Sequence, residues 1–226
     1  MSLVATLICN PANPALDSTV LDGARAILGN AGPAQWLWDE VAADIPFESG
    51  ELIPPITQHL REALLKGLPV TVVDNVLAQR ITPTPGGREL VMTMRANGAY
   101  TCLISGGFTL FTEAVAALIG FHENRGNTLL VENGKLSGTA AEPIVGREAK
   151  LATLIELREA SGLDALDTLA VGDGANDLGM IEQAGLGVAY HAKPAVAAAA
   201  AARIDHGDLT ALLYAQGYRR DEFVSA

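Results

Sequence analysis

Apolar and polar positions along this chain switch between two periods, and the switches mark its elements. Leu3 to Ile8 is an apolar run of strand length, followed by a turn cluster at Asn10-Pro11-Ala12-Asn13-Pro14. Asp17 caps a predicted helix on which Val20, Leu21, Ala24, Ile27 and Leu28 recur at helical spacing until Gly29-Asn30. Gln35 to Trp38 and Val41 to Pro46 read as two short strands. The first 48 residues therefore predict a small β-α-β-β (α+β) unit.

Phe47 to Pro55 breaks every periodicity. Ile56 to Lys66 and Thr71 to Gln79 then predict two short helices around Gly67-Leu68-Pro69. Thr82-Pro83-Thr84-Pro85-Gly86-Gly87 leads into a helix from Arg88 to Asn97, closed by Gly98. Beyond it the pattern alternates. Ala99 to Ile104 is a strand and Phe108 to Leu118 a helix. Leu129 to Glu132 and Leu136 to Thr139 flank the hairpin turn Asn133-Gly134-Lys135. Arg147 to Ala160 is an amphipathic helix, Thr168 to Val171 a strand, and a helix runs from near Asn176 to Ala184. Gly187 to Tyr190 is a strand, with helices at Pro194 to Ala202 and Asp208 to Gln216. Such alternation predicts an α/β fold, a mostly parallel sheet with helices on both faces.

Composition narrows the classes. With 226 residues, 49% hydrophobic and 18% charged, the chain has the make-up of one large or two modest globular domains. A formal charge of −11 lacks the basic patch that nucleic acid requires. No apolar run approaches the roughly 20 residues of a membrane span. Met1 to Ala15 is apolar, but it has no basic leader and is broken by prolines, so it is not a signal peptide. Cys9 and Cys102 read as buried, reduced thiols, which points to the cytoplasm. A 48-residue unit buries little surface alone. It must lean on the following domain or on a second copy of itself, which gives homo-oligomerisation through that unit as an expectation.

Candidate chemistry gathers in three stretches. In Leu169-Ala170-Val171-Gly172-Asp173-Gly174-Ala175-Asn176-Asp177-Leu178 a buried strand ends in two glycines around an aspartate, and a helix follows. The carboxyl end of a strand in an open α/β sheet is where ligands sit, and the oxygens of Asp173 and Asp177 suit Mg²⁺. Leu103-Ile104-Ser105-Gly106-Gly107-Phe108 leaves a strand through a hydroxyl and two glycines into a helix, an anion-binding arrangement. Lys150 falls in the first turn of the helix from Arg147, where a cation opposes the helix dipole unless an anion holds it. Each stretch has a plainer reading: a strand-helix turn capped by Asp177, an ordinary Ser-Gly-Gly turn, a solvated lysine. His59, His122, His191 and His206 show no metal-ligand spacing, and Trp36 and Trp38 read as core or interface.

The order Ser105, Lys150, Asp173/Asp177 resembles the haloacid dehalogenase superfamily, and within it the phosphoserine phosphatases. Ser105-Gly106-Gly107-Phe108 is similar to the family's second motif, Lys150 to its third, and Gly172-Asp173-Gly174-Ala175-Asn176-Asp177 to its fourth. His191-Ala192-Lys193-Pro194, Ile81-Thr82-Pro83-Thr84 and Leu64-Leu65-Lys66-Gly67-Leu68-Pro69 also resemble stretches of it, the last within the helical cap. The resemblance covers about Arg61 to Val224, and Met1 to about Phe47 resembles the start of the small amino-terminal module of bacterial members. It implies a Rossmann-like core at about 84–226 with a partial cap at about 51–83, together a phosphatase domain at 49–226, after an amino-terminal unit at 1–48.

The resemblance also implies a mechanism. An aspartate attacks the phosphorus of phosphoserine and the aspartyl-phosphate is hydrolysed, the last step of serine biosynthesis. A second aspartate two residues on protonates the leaving oxygen. Mg²⁺ is ligated by Asp173, with Asp177 orienting its water or the lysine. Ser105, the Gly106 N–H, Lys150 and Asn176 bind phosphoryl oxygens, and Arg61 clamps the substrate carboxylate.

The family's first motif, Asp-x-Asp-x-Thr, has no counterpart: no two aspartates stand in that spacing anywhere in the chain. Leu16-Asp17-Ser18-Thr19-Val20 mimics its second half, but Ala15 holds the nucleophile's place. Val72-Val73-Asp74-Asn75-Val76 has Val76 where the acid belongs. Nucleophile and general acid are therefore not found. Glu48-Ser49-Gly50-Glu51 marks the join of an internal deletion that would remove the nucleophile strand and the first cap helix. Two alternatives to a phosphatase follow: a remnant that binds phosphate, phosphoserine or a partner chain without turnover, and an amino-acid-binding module in the first 48 residues.

Overall fold

The computed structural model describes residues 4–7, 63 and 65–224, with 4–7 and 80 described as backbone alone. In chain order the elements are β1 (Val4–Leu7), α1 (Val72–Arg80), α2 (Gly87–Ala96), β2 (Tyr100–Phe108), α3 (Thr109–Ile119) and β3 (Glu123–Asn127). A hairpin of β4 (Leu129–Glu132) and β5 (Lys135–Ala140) follows, then α4 (Arg147–Ala160) and β6 (Thr168–Gly172). The chain continues through α5 (Leu178–Gln183), β7 (Leu186–Tyr190), α6 (Pro194–Ala199), β8 (Ala202–Ile204) and α7 (Ala211–Ala215). Among the described residues no helix is long and apolar enough to cross a membrane.

Two compact units result, one of residues 1–10, 73–128 and 142–226, the other of residues 11–72 and 129–141. The first holds a parallel six-stranded sheet in the order β3-β2-β1-β6-β7-β8. Alternate residues of its strands point to opposite faces. Leu103, Leu169, Val171 and Val188 pack with Leu90, Val91 and Met94 of α2, Ala116 and Ile119 of α3, and Leu212 and Leu213 of α7. On the other face Ile104, Ala170 and Ala189 meet Leu154 of α4, Met180 and Ile181 of α5, and Val196 of α6. This is the doubly covered α/β sheet expected from the alternation of elements.

In the second unit, Asn133 and Gly134 both take positive φ (52° and 74°), as the Asn-Gly turn predicts. The hairpin is tied to the segment before α1. Gly67 N–H donates to Leu136 O and Leu136 N–H to Leu68 O, both at 2.8 Å, and Val70 N–H donates to Gly134 O at 2.9 Å. These backbone bonds group the hairpin with residues of the expected cap instead of the core, and residues 73–83 group with the sheet.

β1 departs further from expectation. The sequence pattern places this strand in a separate amino-terminal unit, yet it lies mid-sheet, with Leu7 in register with both Leu103 and Val171. An apolar tetrapeptide there satisfies the backbone groups that β2 and β6 would otherwise leave unpaired. The rest of the expected unit, its helix and two strands, lies outside the described residues, as do Cys9, Trp36, Trp38 and His59.

Two strands were not read from the pattern, β3 and β8. β3 is Glu-Asn-Arg-Gly-Asn, with no apolar alternation, and as an edge strand it is held by backbone pairing and charge. Tyr100 OH donates to Glu123 at 2.6 Å. Arg125 binds Glu123 at 2.5 Å and forks onto Glu156 of α4 at 2.7 and 2.8 Å. Burial raises the Glu123 carboxyl, but the hydrogen bonds from Tyr100 and Arg125 outweigh it and leave the group below its ordinary range. The hydrogen bond to Glu123 in turn pushes the Tyr100 hydroxyl up to about 12, with burial adding to the shift. Burial first, and then Glu123, lift the Cys102 thiol to about 12, and its place in the core agrees with its reading as a buried, reduced thiol. His122 accepts the Thr101 N–H at Nδ1, and burial together with Arg95 holds its pKa below 6.5.

Both depressed groups weaken the fold in acid. His122 is neutral when folded, so its contribution is present above 6.5 and fades as pH falls toward its lower folded value. Glu123 contributes above 4.5, and that contribution is lost as pH falls through its folded value. Urea midpoints followed by circular dichroism from pH 8 downward should therefore fall in two stages. Glu123→Gln should flatten the lower stage and leave the upper one.

Candidate active site

The far end of β2, the end of β6 and the first turn of α4 meet at one edge of the six-stranded sheet. Leu103 and Val171 lie level across β1, and Ser105 and Asp173 each follow two residues further along the chain.

At β2 the ladder with β3 is interrupted. Ile104 pairs with Arg125 and Phe108 with Asn127, so Ser105, Gly106 and Gly107 stand opposite Gly126 alone. The surplus residues form a bulge within β2. Ser105 is fully buried, and its Oγ accepts the Gly107 N–H at 3.0 Å, which directs the hydroxyl proton elsewhere. The neighbouring Asn127 is also buried: its Nδ2 donates to Gly106 O and its Oδ1 accepts the Val145 N–H, both at 2.7 Å.

Lys150 occupies the fourth position of α4, where its N–H bonds to Gly146 O. Its ammonium is wholly buried and lies 2.7 Å from Asp177 Oδ1, itself wholly buried. The anion that the position of the lysine called for is thus inside the protein. Asp177 Oδ2 accepts the N–H groups of Asp173 (3.1 Å) and Gly174 (3.0 Å), so one carboxylate fixes both the lysine and the turn leaving β6. Gly172 makes this approach feasible. A Cβ there would stand 2.5 Å from the Asp177 side chain. Asp173 is partly exposed, with its Oδ1 buried, and its carbonyl accepts the Lys193 N–H at 3.2 Å. Asn176 is partly exposed in the single turn Ala175–Asp177.

The structure therefore places Ser105, Gly106, Lys150, Asp173, Asn176 and Asp177 at one edge of one unit. Arg61 and the segment around Asp17 lie outside the described residues. Asp74 is in α1 and exposed, apart from the motifs. Asn127 was missed, because its strand carries no apolar pattern from which a buried side chain could be read.

Lys150→Met keeps the volume but strands the Asp177 carboxylate in the interior, and urea unfolding should show a loss of about 3–5 kcal/mol. Replacing both partners, Lys150→Met with Asp177→Leu, should recover part of that loss. Gly172→Ala should cost about 1–3 kcal/mol by displacing Asp177.

The haloacid dehalogenase-like hydrolase family matches residues 16–182. That match opens on Leu16-Asp17-Ser18-Thr19-Val20, the imperfect copy of the first motif. A phosphoserine phosphatase of Streptomyces coelicolor is 41% identical over 177 residues, covering 78% of this chain and 43% of that protein. The chain spans about half the length of the curated relatives it matches first. Among solved structures, a probable phosphoserine phosphatase from Vibrio cholerae superposes with a TM-score of 0.78 at 29% identity, over 94% of this chain and 63% of that one. A substrate-bound phosphoserine phosphatase complex gives 0.76 at 28% identity, over 95% of this chain and 99% of that one. A serine-glycine loop, a buried lysine and an aspartate pair meeting at a parallel sheet edge, within a match over most of the chain, make this protein a member of the haloacid dehalogenase-like hydrolase family.

Proposed function

We propose that this chain is a Mg²⁺-dependent phosphomonoester hydrolase of the phosphoserine phosphatase type, acting on O-phospho-L-serine at the last step of serine biosynthesis, in the cytoplasm. The observation that carries this reading is the wholly buried Lys150–Asp177 pair at the end of β6. An ammonium has three donors, and Asp177 engages one at 2.7 Å, so the amine has the capacity to hold a second anion at the same edge. Similarity to phosphoserine phosphatases, one of them solved with substrate, supports the choice of phosphomonoester.

Each residue then has a task. Ser105, its Oγ already accepting from Gly107, donates its proton to a phosphoryl oxygen. The Gly106 N–H and the Asn176 amide bind others, and Lys150 offsets the charge that builds on them during transfer. Asp177 orients Lys150 and the Asp173 turn. Arg61 clamps the substrate carboxylate with its planar fork.

Mg²⁺ fits the donor chemistry. The ion is held by one or two carboxylates together with substrate oxygens and water. Among the described residues no group of three His, Cys, Asp or Glu side chains could hold a metal. Asp173, partly exposed at the same edge, would be the direct ligand, and Asp177, with both oxygens engaged, a support for it. When bound, the ion supplies positive charge that screens the phosphoryl group from approaching anions.

A second reading is favoured by one observation. The strand between Ser105 and Asp173 is Val-Ala-Thr-Leu, which carries no carboxylate. In a hydrolase template, loss of the nucleophile costs on the order of 10⁶ in kcat while binding survives in part. The chain would then bind phosphoserine without releasing phosphate, alone or with a second copy joined through its first 48 residues.

Titration calorimetry with phosphoserine and Mg²⁺, run beside a phosphate-release assay, separates the two. The proposal expects saturable binding and Mg²⁺-dependent release, both lost in Asp173→Asn. Binding without release selects the second reading, and no binding contradicts both.

A further inference from the structure

We infer that Asn127 is a positioning residue that sets the spacing between the two loops gripping the phosphoryl group. The inference rests on the reading above of Ser105, Gly106 and Lys150 as an anion site.

Asn127 closes the edge strand β3 and is 1% exposed. Its one amide spans two segments distant in sequence. Nδ2 donates to Gly106 O at 2.7 Å, within the serine-glycine bulge. Oδ1 accepts the Val145 N–H at 2.7 Å, just before Gly146 caps α4, the helix that carries Lys150. The orientation of the amide is fixed by its partners, since a carbonyl must receive the N–H and a backbone N–H must find an oxygen. No other residue type of this size offers a neutral donor and a neutral acceptor side by side. Aspartate matches its shape but not its donor.

Packing shows independently that the end of β3 is pressed against the bulge. A Cβ on Gly126 would stand 3.0 Å from Gly107 O and 3.1 Å from Thr112 Oγ1. Thr112 Oγ1 in turn donates to Asn124 at 2.8 Å. Between Ile104 and Phe108 the ladder to β3 shifts register, so the Ser105–Gly107 bulge lacks regular cross-strand pairs to β3. Asn127 supplies the missing tie and joins it to the approach to α4. Both halves of the anion grip thus share one reference point, and the gap between Ser105 and Lys150 is set from β3.

Two variants test this, with inorganic phosphate and Mg²⁺ as the binding probe. In Asn127→Ala, hydrogen exchange should speed up together in residues 105–108 and 145–150, while Leu169–Val171 keep their protection. Asn127→Asp keeps the acceptor for Val145 but sets an oxygen against Gly106 O. Phosphate should bind it roughly tenfold more weakly at pH 8, the scale of a misplaced hydrogen-bond donor. Its affinity relative to the unmodified chain should recover as pH falls and the new carboxyl regains a proton to donate. A merely structural role would lower stability without that recovery. Exchange that rises in one segment only, or in neither, overturns the inference, as does a flat affinity ratio across pH. Paired exchange in a chain that binds no phosphate even unmodified would remove the reading of the anion site and leave Asn127 as the tie between the two segments.

Discussion

The contact on which the site depends is the ion pair between Lys150 and Asp177, sealed from water at the end of β6. Burying two charges is costly, and an isolated pair seldom repays the loss of hydration. This one is supported by its surroundings. The second oxygen of Asp177 holds the turn after Gly172, so the carboxylate is fully engaged and the lysine cannot follow it into solvent. A cation near a helix start also works against the helix dipole. Under the proposed reading, a doubly charged phosphoryl group would give that interior charge its use.

The sheet supplies the rigid frame. Parallel order puts every strand's carboxyl end on one side, so Ser105, Asp173 and the approach to Lys150 meet without long loops. What is unusual is the strand between them. Here β1, Val-Ala-Thr-Leu, completes the backbone pairing and carries no carboxylate. Fold and chemistry are therefore separable in this chain. Filling a sheet needs only an extended apolar segment, whereas phosphoryl transfer needs a carboxylate at its end.

Legibility followed the same division. Helix α4 and strand β6 were plain because apolar residues recur at one period and glycines mark the exits. Ser105, Lys150 and the Asp173/Asp177 pair were readable because their residue types and order carry chemistry. β3 was hidden: Glu123 and Arg125 look like loop residues until Tyr100 and Glu156 close around them. With β3 went Asn127, whose importance lies in two backbone groups far away in sequence. The placement of β1 was also illegible, since nothing in Val-Ala-Thr-Leu states which strands it will join.

The most direct test is a crystal structure of the chain grown with Mg²⁺ and phosphoserine. The account predicts the phosphoryl group at the edge of the sheet, within hydrogen-bond reach of both Lys150 Nζ and Ser105 Oγ, with the metal on Asp173. A phosphoryl group bound elsewhere, with no density beside Ser105 and Lys150, would contradict it.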